Sequence, residues 1–281
     1  MKKVLAILLA AVMLISFAAC GAKKAEVKEP ANPVIRLSTT TSVNDSGLLP
    51  YLLPVFEKET GYKVEVQSAG TGAALQKAMD GNADIVLVHA KQSEEEFLAG
   101  GYGVERLPFM YNYFVIVGPK DDPAGIKGSK DAAEAFAKIK ESDSKFISRG
   151  DDSGTHKAEL KIWGEGSEPN AETDKWYVSA GKGMGDCLVM ANEMNGYCLT
   201  DKATYLSMQK DLTNLALLIE EGEDMKNTYS LIAVNPEKVS GVNTEGAQAL
   251  IDWMLGDEAS ELIAKYGQEE YGVSLFTLLE K

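Results

Sequence analysis

The sequence predicts an α/β fold of two lobes, each a mainly parallel sheet flanked by helices, with two strands crossing between them. Three observations support this. Short apolar runs alternate with amphipathic segments along the chain, the pattern of repeated β–turn–α units. Two long strand-forming runs, at 108–118 (PFMYNYFVIVG) and 229–234 (YSLIAV), bracket a separate β/α set. Polar turns rich in glycine or hydroxyls follow the apolar runs where helices begin.

Taken in order, residues 34–37 (VIRL) form the first expected strand, followed by the polar stretch 38–44. A helix is expected over 47–59, capped by Asp45 or Ser46 and stopped by Gly61. Residues 63–67 alternate as a second strand, and 68–72 make a tight polar turn. A helix at 73–79, a buried strand at 84–88 and a helix at 93–98 complete the first set. Between the two crossovers come a helix at 131–140, a strand at 145–148, helices after Gly154 and Gly185, and a strand near 197–199. Two amphipathic helices, 244–255 and 257–266, then return to the first lobe. Lobe 1 is expected to comprise 33–113 and 230–281, and lobe 2 residues 114–229. A chain that crosses twice leaves a cleft at the hinge, facing the loops at the carboxyl ends of the strands.

The amino-terminal segment points to export. Lys2 and Lys3 precede an apolar run broken only by Ser16, and Ala18-Ala19-Cys20-Gly21 brings small residues up to a cysteine. This is the layout of a cleaved signal over 1–19, too short and wrongly flanked for a spanning helix. The cysteine after small residues resembles a bacterial lipobox, which implies a lipidated Cys20; Phe17 stands where that pattern favours Leu. An ordinary signal with a coincidental cysteine is the plainer alternative. Residues 20–32 then read as a lipidated tether rich in Lys, Glu, Ala and Pro. The formal charge of −14 argues against nucleic acid as a partner and requires any anion site to be a local arrangement of donors. Cys187 and Cys198 are either a disulfide or two buried thiols.

Three loops carry the binding chemistry. Thr39-Thr40-Thr41-Ser42 follows the first strand, and Ser68-Ala69-Gly70-Thr71-Gly72 follows the second. Ser148-Arg149-Gly150-Asp151-Asp152-Ser153-Gly154-Thr155-His156 follows the strand at 145–148. Each places hydroxyls and backbone N–H groups at the start of a helix, where unsatisfied donors and the helix dipole favour anions. Arg149 adds a fixed fork for two oxygens of one anion. One such loop alone is an ordinary N-cap; three of them at strand ends on both sides of a hinge describe an oxyanion site.

TTTS, SAGTGAAL, DIVLVHA and above all SRGDDSGTH resemble the tungstate-binding components of Tup-type ABC importers, which belong with the type II periplasmic binding proteins. The resemblance runs from about Val34 to Phe276. It implies the two-lobe periplasmic-binding-protein type II fold and capture of tungstate, with molybdate as the close second, for an ABC permease. It also implies ligand contacts from Thr40, Thr41, Ser42 and Thr71 in the first lobe, and from Arg149, Ser153, Gly154 and Thr155 in the second. Gly183 and Met184 are weaker candidates for backbone donation. No catalytic residue, resident metal or cofactor is expected; the metal oxyanion is held through its oxygens by a monomer. Tungstate, molybdate and sulfate are unprotonated near neutral pH and accept hydrogen bonds only, whereas phosphate keeps a proton. His89 aligns with an Asp of phosphate binders and is expected to donate, in a charged form favoured by an adjacent anion; a backbone-satisfied His is the bland alternative. Asp151 and Asp152 are expected to point away, capping the next helix or pairing with Arg149.

Other classes fit less well. Gly150-Asp151-Asp152-Ser153-Gly154 departs from hydrolase nucleophile loops by an inserted Asp, and His156 sits on the same expected helix as Ser153. Two histidines and two internal cysteines without ligand spacing make a poor transition-metal site. Another oxyanion, sulfate or phosphate, is the nearest alternative. Trp163, Trp176 and Trp253 read as packing residues, and Glu94-Glu95-Glu96 as a solvated face.

Overall fold

The structure is a computed structural model that describes residues 30–280 apart from Glu221. The expected signal, Cys20 and the tether up to residue 29 lie outside the described residues. In lobe 1, β1 (Val34–Thr40), β2 (Lys63–Ala69) and β3 (Ile85–Val88) are parallel, with β1 between the other two. In lobe 2, β5 (Phe146–Ser148), β6 (Tyr177–Ser179) and β7 (Tyr197–Asp201) are likewise parallel, with β5 central.

The crossover strands are antiparallel to these sets. β4 (Leu107–Pro119) pairs over its first half with β9 (Lys226–Ala233), then from Phe114 with β7, so one strand serves both lobes. β9 also pairs antiparallel with β3. Two further strands, β8 (Leu215–Ile219) and β10 (Thr277–Leu278), add to β4. The parallel character predicted from sequence therefore holds for the outer strands, and the hinge itself is antiparallel.

Strict alternation along the strands explains the two-faced packing, because successive side chains point to opposite sides of a sheet. Ile85 and Leu87 of β3 join one lobe 1 core cluster, and Val86 and Val88 join the other. The first is covered by α2 (Leu48–Thr60), α9 (Thr244–Met254) and α10 (Asp257–Lys265). The second is covered by α3 (Thr71–Met79) and α4 (Lys91–Ala99). In lobe 2, Phe114 and Ile116 face α5 (Ala132–Glu141) and α6 (Gly154–Trp163), while Val115 and Val117 face α7 (Met184–Met194) and α8 (Lys202–Met208). α11 (Gln268–Tyr271) lies near the end of the chain.

Several expectations change. The polar stretch after β1 forms its own short helix, α1 (Thr41–Asp45), and α2 begins only at Leu48. Neither Asp45 nor Ser46 caps it; Gly47 does, in the left-handed region at φ +79°. A Cβ there would lie 2.5 Å from the Tyr266 hydroxyl, which donates to the Ser46 carbonyl at 2.6 Å. Only glycine satisfies both constraints. Glu94 is not on a solvated face: it is fully buried and accepts from Arg106 Nε at 2.6 Å, while Glu95 and Glu96 are exposed. A buried carboxylate is retained because a charged partner meets it. Cys187 and Cys198 are both buried and free. Trp163 and Trp176 pack with Phe136, Phe146 and Tyr177 in the lobe 2 core, as expected. The apolar run of β8 has no clear period, so its strand character is not visible locally.

Candidate functional site

Because β1, β2 and β3 are parallel, their carboxyl ends lie along one edge and deliver Thr40, Thr71 and His89 to it. β5 delivers Arg149 in the same way from lobe 2. Thr40, Ser42, Thr71, Arg149, Ser153 and Thr155 are each at most 2% exposed. Such a concentration of buried polar side chains is costly unless each finds a partner.

Arg149 organises the site. Its Nη2 donates to Asp151 Oδ2 at 2.5 Å and, across the cleft, to Thr41 Oγ1 at 3.1 Å. Its Nε donates to the Lys182 carbonyl at 3.3 Å, and the Lys182 N–H donates back to the Arg149 carbonyl at 3.2 Å. The turn before α7, expected to offer Gly183 and Met184 to a ligand, thus brackets the arginine through Lys182. Nη1 has no hydrogen bond among the described residues. Asp151 pairs with Arg149 as expected and also accepts from the Ser153 N–H at 3.2 Å; Asp152 takes Lys157 at 2.7 Å.

On the lobe 1 side, Thr40 Oγ1, Ser42 Oγ and His89 Nε2 form a triangle. His89 Nε2 lies 3.1 Å from Thr40 and 3.0 Å from Ser42, and the two hydroxyls are 3.2 Å apart. Burial first, and the charge of Arg149, push His89 down to about 4, with the Asn227 side chain opposing them. Among the groups around it the ring is neutral near pH 7; the charged two-donor form was expected beside a bound anion. The lobes touch here: a Cβ on Gly154 would lie 2.5 Å from His89 Cε1, so only glycine lets the start of α6 approach the ring.

Three buried polar atoms around this cleft have no partner among the described residues: Thr71 Oγ1, Thr155 Oγ1 and His89 Nδ1. An unsatisfied buried group costs about 1–3 kcal/mol, so polar atoms left open in both lobes make this cleft the candidate place for a polar ligand. Ser153 Oγ accepts from the His156 N–H at 3.2 Å and caps α6, while His156 Nδ1 accepts from the Asp152 N–H at 3.1 Å. Neither atom pair is arranged as nucleophile and base. Among the described residues no group of three or more metal-ligating side chains exists.

One residue behind the loop was not anticipated. Glu159 of α6 is buried and accepts from Tyr177 Oη at 2.7 Å and Trp163 Nε1 at 3.2 Å. Burial pushes it up to about 7 despite those bonds. The folded chain therefore holds a proton that the unfolded chain releases near 4.5. The stabilising contribution is complete below about 4.5 and is lost as pH rises through about 7, on the order of 3 kcal/mol in all. Glu159→Gln is expected to flatten the fall in melting temperature across that window, as thermal melts at constant ionic strength would show. Equal pH dependence in both proteins would count against a titrating Glu159.

Comparison with known proteins bears on the family and the fold. The model of the PBP superfamily domain matches residues 27–258. The tungstate-binding protein TupA of Peptoclostridium acidaminophilum is 50% identical over 285 residues, covering 99% of this chain and 98% of that one. The crystal structure of the tungstate ABC transporter from Geobacter sulfurreducens superposes with a TM-score of 0.76 at 46% identity, covering 84% of this chain and 100% of that one. The tungstate-binding protein TupA from Desulfovibrio alaskensis G20 gives 0.75 at 38% identity, covering 89% and 100%. With a two-lobe fold, donors converging on its cleft and identity along nearly its whole length, this chain belongs to the PBP superfamily, in the family of the TupA tungstate-binding proteins.

Proposed function

We propose that the chain is an extracytoplasmic solute-binding protein that captures tungstate, and molybdate as a close second, between its lobes for an ABC transporter permease. The observation that carries this reading is the set of donors that two lobes present to one cleft. Arg149 spans it to Thr41, and the buried hydroxyls of Thr71 and Thr155 are open on either side. In this reading Thr40, Thr41, Ser42 and Thr71 bind from lobe 1, and Arg149, Ser153, Gly154 and Thr155 from lobe 2. Arg149 supplies charge and Asp151 fixes its fork, so the anion meets an oriented guanidinium at little cost in side-chain entropy. His89 belongs to the same group through Thr40 and Ser42. The protein works as a monomer outside the cytoplasm, tethered by lipid on Cys20; among the described residues no helix is long and apolar enough to cross a membrane.

Competition calorimetry with tungstate, molybdate, sulfate and phosphate tests the specificity. Preference for phosphate over tungstate would overturn it. Closure tests the geometry. At a hundredfold excess over Kd, tungstate is expected to stabilise the fold by about 2.7 kcal/mol and to raise the melting temperature. Small-angle scattering should show a more compact particle. An unchanged melt together with unchanged scattering would reject binding between the lobes.

A further inference from the structure

Behind the cleft hydroxyls lies a polar cluster that the reading above does not use. Asn112 of β4 and Asn227 of β9 are register partners on the two crossover strands, and both are buried. Asn227 Nδ2 donates to Asn112 Oδ1 at 2.9 Å and to Tyr229 Oη at 2.7 Å, and Tyr229 Oη donates to Asn112 Oδ1 at 3.2 Å. This arrangement leaves Asn112 Nδ2 and Asn227 Oδ1 without partners. His89 packs against the same cluster, its ring 5.0 Å from that of Tyr229, and its Nδ1 is buried and partnerless as well. Asn227 lies close enough to act on the ionisation of the ring. A hydrogen bond between Nδ1 and the Asn227 amide would resolve two of the three orphaned atoms.

The amide has two orientations of equal shape. In one, Asn227 Oδ1 accepts from an Nδ1–H. In the other, with Asn112 reversed too, Asn227 Nδ2 donates to a bare Nδ1 and the contacts between the asparagines and Tyr229 persist. Which proton sits on the far side of the ring then decides what the cleft offers. Thr40 and Ser42 carry one hydroxyl proton each. A bare Nε2 takes one of them, and a donor is lost to the anion. A protonated Nε2 is accepted by the hydroxyl oxygens, and both hydroxyl protons turn into the cleft. An unprotonated dianion accepts hydrogen bonds and gives none, so only the second arrangement serves it.

We propose that Asn227 is a positioning residue of the binding site: paired with His89 Nδ1, it keeps Nε2 a donor and so turns the Thr40 and Ser42 hydroxyl protons towards the anion. The reversed amide does this with a neutral ring, and the other orientation does it when the dianion draws a second proton onto His89. His89 thereby acts through two hydroxyls, and the pair favours acceptor-only anions over those that bring a proton. The inference rests on oxyanion binding in this cleft.

The test is nitrogen NMR of the exported protein labelled at its two histidines, His89 and His156, with saturating tungstate. A His156→Gln sample assigns the signals. Nε2 of His89 is expected at the shift of a protonated ring nitrogen. Asn227→Leu, which removes the amide at similar size, is expected to lose that signature and to bind tungstate about tenfold more weakly, the effect of one misdirected donor. Tungstate binding with a bare Nε2 in the parent would overturn the proposal alone. Parental affinity and an unchanged Nε2 signal in Asn227→Leu would remove Asn227 from it. A parent that binds no tungstate would remove the functional reading itself.

Discussion

Arg149→Ala is expected to weaken tungstate binding by at least about a hundredfold, the equivalent of roughly 2.8 kcal/mol. Charge-assisted hydrogen bonds contribute about 1.5–3 kcal/mol each, and the guanidinium has a fork to offer. The loss has a second source in this structure. Asp151 Oδ2 lies 2.5 Å from Nη2, so removing the arginine leaves a carboxylate unpaired beside a dianion. Arg149→Lys is expected to recover only part of the affinity, because an ammonium cannot span Thr41, Asp151 and the Lys182 carbonyl together. Calorimetry on the three proteins checks this. Near-parental affinity in Arg149→Ala would exclude the residue from the site. The double variant Arg149→Ala with Asp151→Asn should bind better than the single one, which separates the two sources.

His89→Asp carries the second large effect. A carboxylate within about 6 Å of a dianion costs on the order of 5 kcal/mol at an effective dielectric of about 20. It would also accept from Thr40 and Ser42, which now lie 3.1 and 3.0 Å from Nε2, and so draw their protons away from the cleft. Protonation of the new Asp relieves part of the repulsion. The expected outcome is a loss of tungstate affinity about a hundredfold greater than in His89→Asn, which keeps a donor at similar size. Residual phosphate binding should move the other way, since phosphate brings a proton that an Asp can accept. Equal tungstate affinity in the two variants, both folded, would show that position 89 does not act on the anion.

The alternation of apolar runs and helical segments was legible from the chain because periodicity is a local property. It located both crossover strands, the loops after β1, β2 and β5, and the two helices that return to lobe 1. Pairing of Asp151 with Arg149 was also foreseeable, since they stand two positions apart and the carboxylate has a charge to satisfy. Glu94 was misread because a run of three glutamates looks uniformly solvated until Arg106, 12 residues on, is folded against it. β8 was missed for the same kind of reason: five apolar residues do not declare a period.

What only the tertiary structure decided are the contacts whose partners lie far apart in sequence and the protons they fix. Thr41 meets Arg149 across 108 residues, and Asn227 meets Asn112 across 115. An asparagine within the apolar run of β4 hints at a buried polar partner, yet nothing local names Asn227. His89 at a strand end was visible as a donor or acceptor, and its choice between those roles depends on Thr40 and Ser42 before it and Asn227 behind it. Sequence pattern specifies which face a side chain occupies. Register between distant strands, and the exclusion of water that follows, specify which atom it meets.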